Sequence, residues 1–200
     1  MAGGMSDADQ AKFSGIIHDE AIRLTRLLDD LLDLSVLENG QVTLNWQSAN
    51  LHDVLERAVA ATKSLEAANL TIERDIAREN VSLVTDADRL AQVFINLITN
   101  AHKYCDADAP CLKISTLVSG DGVQVDFVDN GRGIPSASQS VIFEKFSRLS
   151  DKAQAGGAGL GLAICREIMV NLGGTISYLP GQEGTAFRVS LPLAQAKAAE

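Results

Sequence analysis

Apolar positions follow one period up to residue 38 and another beyond residue 40. From Phe13 to Glu38, Ile17, Ala21, Leu24, Leu28, Leu31 and Ser35 recur at alternating steps of four and three, the seam of a coiled coil or helix bundle. Ile16, Leu27 and Leu34 widen that stripe, while Asp19, Glu20, Arg23, Arg26, Asp29, Asp30 and Asp33 are assigned to solvent. So broad an apolar face needs a partner helix. Asn39-Gly40 is a residue pair suited to a left-handed C-cap. Beyond it, short alternating runs interleave with helical ones. The pattern predicts strands at Val42–Trp46, Leu70–Asp75 and Val81–Val84, and a helix capped by Asn50 that runs to about Ala68. Thr85 is the expected cap of a strongly periodic helix ending near Tyr104, with Asp88 completing a capping box. Leu112–Val118 and Val123–Asp129 read as a hairpin around Asp121-Gly122. A glycine-rich turn and an amphipathic helix follow, and Thr175–Leu179 with Thr185–Leu191 form a last hairpin closed by Pro192.

Composition narrows the class. The chain has 200 residues, 46% of them apolar and 22% charged, enough for one ordinary globular domain plus an appendage. Its net charge of −9 argues against nonspecific nucleic-acid binding. No apolar run reaches membrane-spanning length, and the first residues lack a signal-peptide core. Three cysteines, Cys105, Cys111 and Cys165, make an odd count without metal spacing, which fits free thiols in a reducing compartment. Cys165 is expected to be a core residue.

Three constellations carry candidate chemistry. On the helix ending near Tyr104, Gln92, Asn96, Asn100 and Lys103 form one polar stripe opposite Leu90, Val93, Leu97, Ile98 and Ala101. Asparagine is a mediocre helix former, so two of them one turn apart suggest amide oxygens aimed at a ligand or cation. Magnesium, which fills most of its octahedron with water and phosphate oxygens, suits a single amide oxygen. Lys103 would then meet phosphate and Tyr104 pack on a base.

The second is Asp129-Asn130-Gly131-Arg132-Gly133-Ile134. Strand alternation puts Asp129 on the apolar face shared by Val123, Val125 and Phe127, where a carboxylate needs a donor. The exocyclic amine of adenine would serve, and Gly131 and Gly133 would let the backbone approach a planar ring. The third is Gly157-Ala158-Gly159-Leu160-Gly161-Leu162, whose backbone N–H groups at a helix start suit a phosphate. Before it, Phe143 and Phe146 are candidates to pin one end of a polar loop from Ser147 to Ala158. Lys145, Arg148 and Lys152 would close over phosphates as cations of a mobile lid. Each feature alone reads equally as a helix face, a strand-ending turn or a surface loop; together they favour a nucleotide pocket.

In this order the residues resemble the catalytic, ATP-binding domain of sensor histidine kinases. Four boxes match: 96–104, 129–134, 143–146 and 157–162, with Gly184-Thr185-Ala186-Phe187 as a trailing glycine box. The resemblance implies an α+β fold, a two-layer sandwich of a mixed, mainly antiparallel sheet covered by about three helices on one face, preceded by one long bundle-type helix. It assigns Asn100 to Mg²⁺ and Asp129 to adenine. Asn96, Lys103 and the lid cations Lys145 and Arg148, the catalytic candidates, go to the phosphate side. Tyr104, Gly131, Gly133, Ile134, Gly157, Gly159, Leu160, Gly161, Leu162 and Thr185 complete the ATP site. In related gyrase-type and mismatch-repair ATPases a glutamate one turn before the magnesium asparagine acts as general base. Here that position is Asn96, which favours the histidine-kinase branch.

Phe13–Glu38 resembles the second helix of that family's dimerisation and phosphotransfer hairpin. The expected organisation is a disordered or extraneous start at 1–12, a partial hairpin at 13–39, the ATP domain at 40–193 and a tail at 194–200. His18-Asp19 mimics a phosphoacceptor pair, but its place in the second helix, without a following proline, argues against that role. The expected function is transfer of the ATP γ-phosphate to a histidine on a helix of the same or a second kinase chain, with a response regulator downstream. Self-association through the 13–38 helix and a cytoplasmic location, compatible with a membrane-anchored parent, go with it. The alternative is a non-catalytic scaffold or phosphotransfer adaptor. Cys105, where the family more often has a small hydroxyl residue, is a thiol that would respond to oxidants, or simply a partly buried cysteine.

Overall fold

The computed structural model describes residues 6–40, 42–63, 70–76, 81–120, 122–147 and 158–193. The long helix, α1, spans Asp7–Glu38 and starts where Ser6 accepts the Asp9 amide. Strand β1 (Gln47–Asn50) leads into α2 (Leu51–Ala61), with Asn50 capping through the His52 amide. Strands β2 (Thr71–Asp75) and β3 (Ser82–Thr85) precede α3 (Ala87–Tyr104). The hairpin β4 (Cys111–Ser119) and β5 (Gly122–Asp129) follows, then a short 3₁₀ turn at Ser136–Ser138. Helix α4 (Gly161–Asn171) and the hairpin β6 (Thr175–Tyr178) and β7 (Ala186–Pro192) complete the fold.

The main sheet has the order β2-β4-β5-β7-β6. Only β2 and β4 pair in parallel; the other neighbours are antiparallel. Alternate residues of β5, Val123, Val125 and Phe127, are buried with Ile114 of β4 and Val189 of β7, so one face meets the helices. Phe94 of α3 packs on Phe127 with ring centroids 5.4 Å apart. Helix α3 lies between α2 and α4, and α1 packs on α4. This is the mixed, mainly antiparallel α+β sandwich with a long leading helix that the sequence predicts. Among the described residues no helix is long and apolar enough to cross a membrane.

Four local expectations are corrected. Residues 7–12, expected to be a disordered or extraneous start, belong to α1. Residues 42–46 form no strand: Val42 and Leu44 pack on the core, and the pairing falls to the more polar Gln47–Asn50, antiparallel to β3. Thr85 closes β3, and the cap of α3 is Asp86, whose side chain accepts the Asp88 and Arg89 amides. Asp88 builds no capping box but pairs with Arg57. The helix from Leu51, expected to run to about Ala68, is interrupted at its C-cap Thr62; Lys63 is again helical, and residues 64–69 lie outside the described set.

Asp86 also accepts the Asn45 amide at 2.9 Å, tying the approach to β1 onto the start of α3. Burial raises its pKa, and the three amide donors, aided by Arg89, more than reverse this, so the carboxyl titrates below its usual range. A depressed folded-state value means the contribution is complete above the ordinary 3.8 and is lost as pH falls below it. Asp86→Ala should cost about 1–2 kcal/mol of stability, read from urea melts at neutral pH. Asp86→Asn, which still caps, should lose less stability than wild type on acidification below the ordinary carboxyl range. Equal acid sensitivity of the two proteins would show the charge to be irrelevant.

Candidate functional site

Strand β5 ends by burying a carboxylate. Asp129, 6% exposed, is the last inward residue of the strand. Its Oδ1 accepts the Gly131 amide at 2.9 Å and the Thr185 amide at 2.8 Å, and its own N–H donates to the Thr185 carbonyl. Oδ2 has no donor among the described residues. The two chain segments that supply those donors come in very close. A Cβ on Gly184, at φ +94°, would lie 1.9 Å from the Asp129 carbonyl oxygen, and one on Gly133, at φ +75°, 2.9 Å from the Gly184 oxygen. Ile134 is buried beneath them.

Helix α3 divides its polar stripe. Gln92 and Arg89, in its first half, both bond Asp33 of α1, at 2.9 and 2.8 Å. Asp33 is therefore a docking residue rather than part of a solvent face, and Gln92 is occupied by α1. In the second half the Asn100 amide donates to Asn96 Oδ1 at 3.2 Å, and Asn96 donates to the Gly161 carbonyl at 3.1 Å. Asn96 is thus committed at both ends to protein, while Asn100 keeps its Oδ1 without a partner among the described residues. Lys103 and Tyr104 are exposed at the helix end.

Helix α4 begins at Gly161 with Leu160 as a cap residue that makes no side-chain bond, and its first turn carries no acidic residue. Among the described residues its leading amides therefore have no partner and remain available to an anion. A Cβ on Gly161 would sit 2.7 Å from Asn96 Oδ1, and one on Gly159, at φ +73°, 2.7 Å from the Ser147 oxygen. Leu160 is buried and Leu162 packs on the core. The two ends of the expected lid are therefore in contact, while Gly157, Arg148 and Lys152 lie outside the described residues. Of the two aromatics expected to pin its near end, Phe143 meets Phe187 edge-on at 6.1 Å, and Phe146 is exposed at φ 62°.

Lys145 pairs with Glu38 of α1 at 2.7 Å, beside a cavity of about 400 Å³ that Leu34, Phe143, Ala163 and Arg166 also line. Above it on α1, burial and the neighbouring Asp33 and Asp29 raise the Asp30 carboxyl, an effect that the charge of Lys103 partly offsets. Two cations expected near a ligand thus feel α1 carboxylates. The sequence reading missed this role for Asp33 and Glu38. The available signal was three acids, Asp30, Asp33 and Glu38, interleaved with Leu31, Leu34 and Leu37.

The family model for histidine kinase-, DNA gyrase B- and HSP90-like ATPases matches residues 85–195, which hold all of these positions except α1. The chain is 35% identical over 185 residues to the sensor protein KdpD of Escherichia coli strain K12; the match covers 91% of this chain and 20% of KdpD. It therefore spans about a fifth of that relative's length. The solved Acinetobacter baumannii histidine kinase AdeS superposes with a TM-score of 0.76 at 29% identity, covering 96% of this chain and 89% of AdeS. A histidine kinase ThkA solved in complex with the response regulator protein TrrA shares the fold, with a TM-score of 0.77 at 24% identity, covering 98% of this chain and 55% of that one.

The Asp129–Gly184 approach is directly testable. Gly184→Ala should cost roughly 2–4 kcal/mol, combining a forbidden backbone angle with a collision. Gly181→Ala, at φ +84° but with nothing within 4 Å, carries the strain alone and should cost about 1–2 kcal/mol. Equal melting temperatures for the two variants would refute the close approach.

Proposed function

Because the chain belongs to the histidine kinase-, DNA gyrase B- and HSP90-like ATPase family and has the ATP-binding catalytic domain of sensor histidine kinases, we propose that it binds Mg-ATP between β5, α3 and the start of α4. From there it presents the γ-phosphate to a histidine. The carrying observation is Asp129: Oδ1 is saturated by backbone donors and Oδ2 is not. An acceptor fixed at the buried end of a strand would select the amine of adenine over the carbonyl of guanine. Gly131, Gly133, Ile134 and Thr185 hold that edge.

On the phosphate side, the leading amides of α4 around Gly159–Leu162 would take oxygens, with Lys103 and the lid cation Arg148. Lys145 would join them only after leaving Glu38. Among the described residues no three His, Cys, Asp or Glu side chains gather to cage a metal. The free Oδ1 of Asn100 fits magnesium held mainly by phosphate and water. Bound there, the ion would neutralise phosphate charge. Asn96 orients Asn100 and contributes no contact of its own.

Residues 13–39 would be the partial hairpin and 40–193 the ATP domain. The acceptor histidine would come from a helix of the same or a second kinase chain. His18 does not suit the role: it is exposed on α1, fifteen residues before the docked Asp33, or about 22 Å along the helix axis. A response regulator would receive the phosphoryl group, as the ThkA–TrrA pairing suggests for this fold, in the cytoplasm. The seam Ile17, Leu24 and Leu28 remains exposed on α1 and would self-associate.

Titration with a fluorescent ATP analogue tests the site. Asp129→Asn turns the acceptor into a donor and should weaken binding at least tenfold, about 1.4 kcal/mol. Asn100→Asp should alter magnesium dependence more than metal-free binding. Unchanged values in both variants would remove the assignment. With γ-labelled ATP, any acid-labile label should survive His18→Gln; its disappearance would make His18 the acceptor. Light scattering should show Ile17→Lys/Leu24→Lys to be smaller in mass than wild type, whereas a monomeric wild type at high concentration would refute self-association.

A further inference from the structure

Two cysteines that the proposed reaction does not use meet at the end of α3. Cys105 is the C-cap of that helix, and Cys111 opens β4. Both address one atom: the Cys105 thiol donates to Asn130 Oδ1 at 3.2 Å, and the same oxygen accepts the Cys111 amide at 2.8 Å. With a common partner at those distances, the Cys105 sulfur and the Cys111 nitrogen lie within about 6 Å, and the two thiols are near enough for the charge of Cys105 to act on that of Cys111. Residues 105–110 between them form neither helix nor strand, so the turn can adjust. Each cysteine is half-buried, within reach of a small oxidant, whereas Cys165 is sealed inside α4.

We propose that Cys105 and Cys111 are a redox-sensitive pair that closes to a disulfide on exposure to a hydroperoxide, and that closing it loosens the nucleotide site. The sulfur of Cys105, as thiolate, attacks the peroxide oxygen; the O–O bond breaks, and a sulfenic acid forms as water leaves. The sulfur of Cys111 then attacks the Cys105 sulfur, the S–O bond breaks, and the departing hydroxide takes the Cys111 proton. Two thiols and one hydrogen peroxide give one disulfide and two waters.

The two sulfurs have distinct roles. Burial first, then the charge and hydrogen bond of Glu73, raise the Cys111 thiol and keep its proton in place. Cys111 is therefore the resolving thiol, and Cys105 is the one that meets the oxidant.

Coupling to the nucleotide runs through backbone. The Cys105 α-carbon lies 3.3 Å from where a Cβ on Gly131 would stand, and the Gly131 amide is one of the two donors on Asp129 Oδ1. Drawing Cys105 away from Asn130 toward Cys111 disturbs that contact. The coupling rests on the adenine role of Asp129; the disulfide itself does not.

The test is peptide mass spectrometry of the folded chain, treated with hydrogen peroxide or with a reductant, alkylated and digested with trypsin. Cleavage after Lys103 and Lys113 leaves both cysteines in one peptide, 104–113. Oxidation should make that peptide lighter by two hydrogens and resistant to alkylation, reversibly. In Cys111→Ser, Cys105 should be trapped as a sulfenic acid by dimedone, and Cys105→Ser should give neither product. Two alkylated cysteines after peroxide, or a disulfide between chains, would overturn the pair. The fluorescent ATP analogue should bind the oxidised protein several-fold more weakly, and Cys111→Ser should bind as the reduced protein does. Equal binding by oxidised and reduced forms would refute the coupling. A disulfide that forms in a protein unable to bind nucleotide in either state would instead count against the ATP site alone.

Discussion

A carboxylate buried at the end of a central strand is the constraint on which this architecture turns. Strand β5 lies between β4 and β7, and its inward positions are apolar until Asp129. Burying that group without donors would cost several kcal/mol, so the chain must bring polar hydrogens to it. It does so from both sides, with Gly131 from the following turn and Thr185 from the start of β7. The approach is tight enough that Gly133 and Gly184 are required at positive φ. Strand end, glycine turn and the entry to β7 are consequently one unit. The Asn130 and Arg132 side chains fasten the 105–111 turn to it, Asn130 through the Ala109 carbonyl and Arg132 through Asp106.

Helix α3 carries two loads on one stripe. Its apolar residues fill the core, while Arg89 and Gln92 hold α1 through Asp33 and Asn96 holds the start of α4 through Gly161. An ion pair that is only partly exposed gains little net stability, because both charges lose water. Its effect is orientation: it selects which turn of α1 rests on the domain, with Leu34 and Leu37 buried in the turn that follows. The Glu38–Lys145 pair extends this docking to the edge of the site. In the proposed function, motion of α1 and occupation of the pocket would therefore bear on the same helix and the same lysine.

How much of this was legible follows from where the information is local. The amphipathic stripe of α3 and the alternation of β5 each repeat over several turns or pairs, so the helix, the hairpin and the inward Asp129 could be read directly. The cap of α3 could not, because Thr85 and Asp86 are adjacent and both suited. Asp86 is chosen because it alone reaches back to Asn45 while Thr85 completes the pairing with Gln47. Residues 42–46 alternate like a strand but have no partner there, since β3 is taken by Gln47–Asn50. Asp33 looked like a surface acid because its cation is fifty-six residues away. The contact of Asn96 was hidden for a similar reason: its carbonyl partner is sixty-five residues on. Sequence spacing reports one element's faces and is silent about which distant group meets them.

The place of Asn96 bears on chemistry. A general base on α3 would have to accept a proton from water or a hydroxyl at the position one turn before Asn100. Asn96 occupies it with an amide that has no basic site at neutral pH, and both ends of that amide are already bonded. In the proposed site helix α3 would orient a nucleotide and a metal but could not activate a nucleophile from there. Whatever attacks the γ-phosphate must arrive with its own base or be nucleophilic without one. A histidine beside an acidic residue on another helix meets that requirement, and a bound water does not. The same asparagine that braces the start of α4 thus points away from hydrolysis and toward transfer to a group outside the pocket.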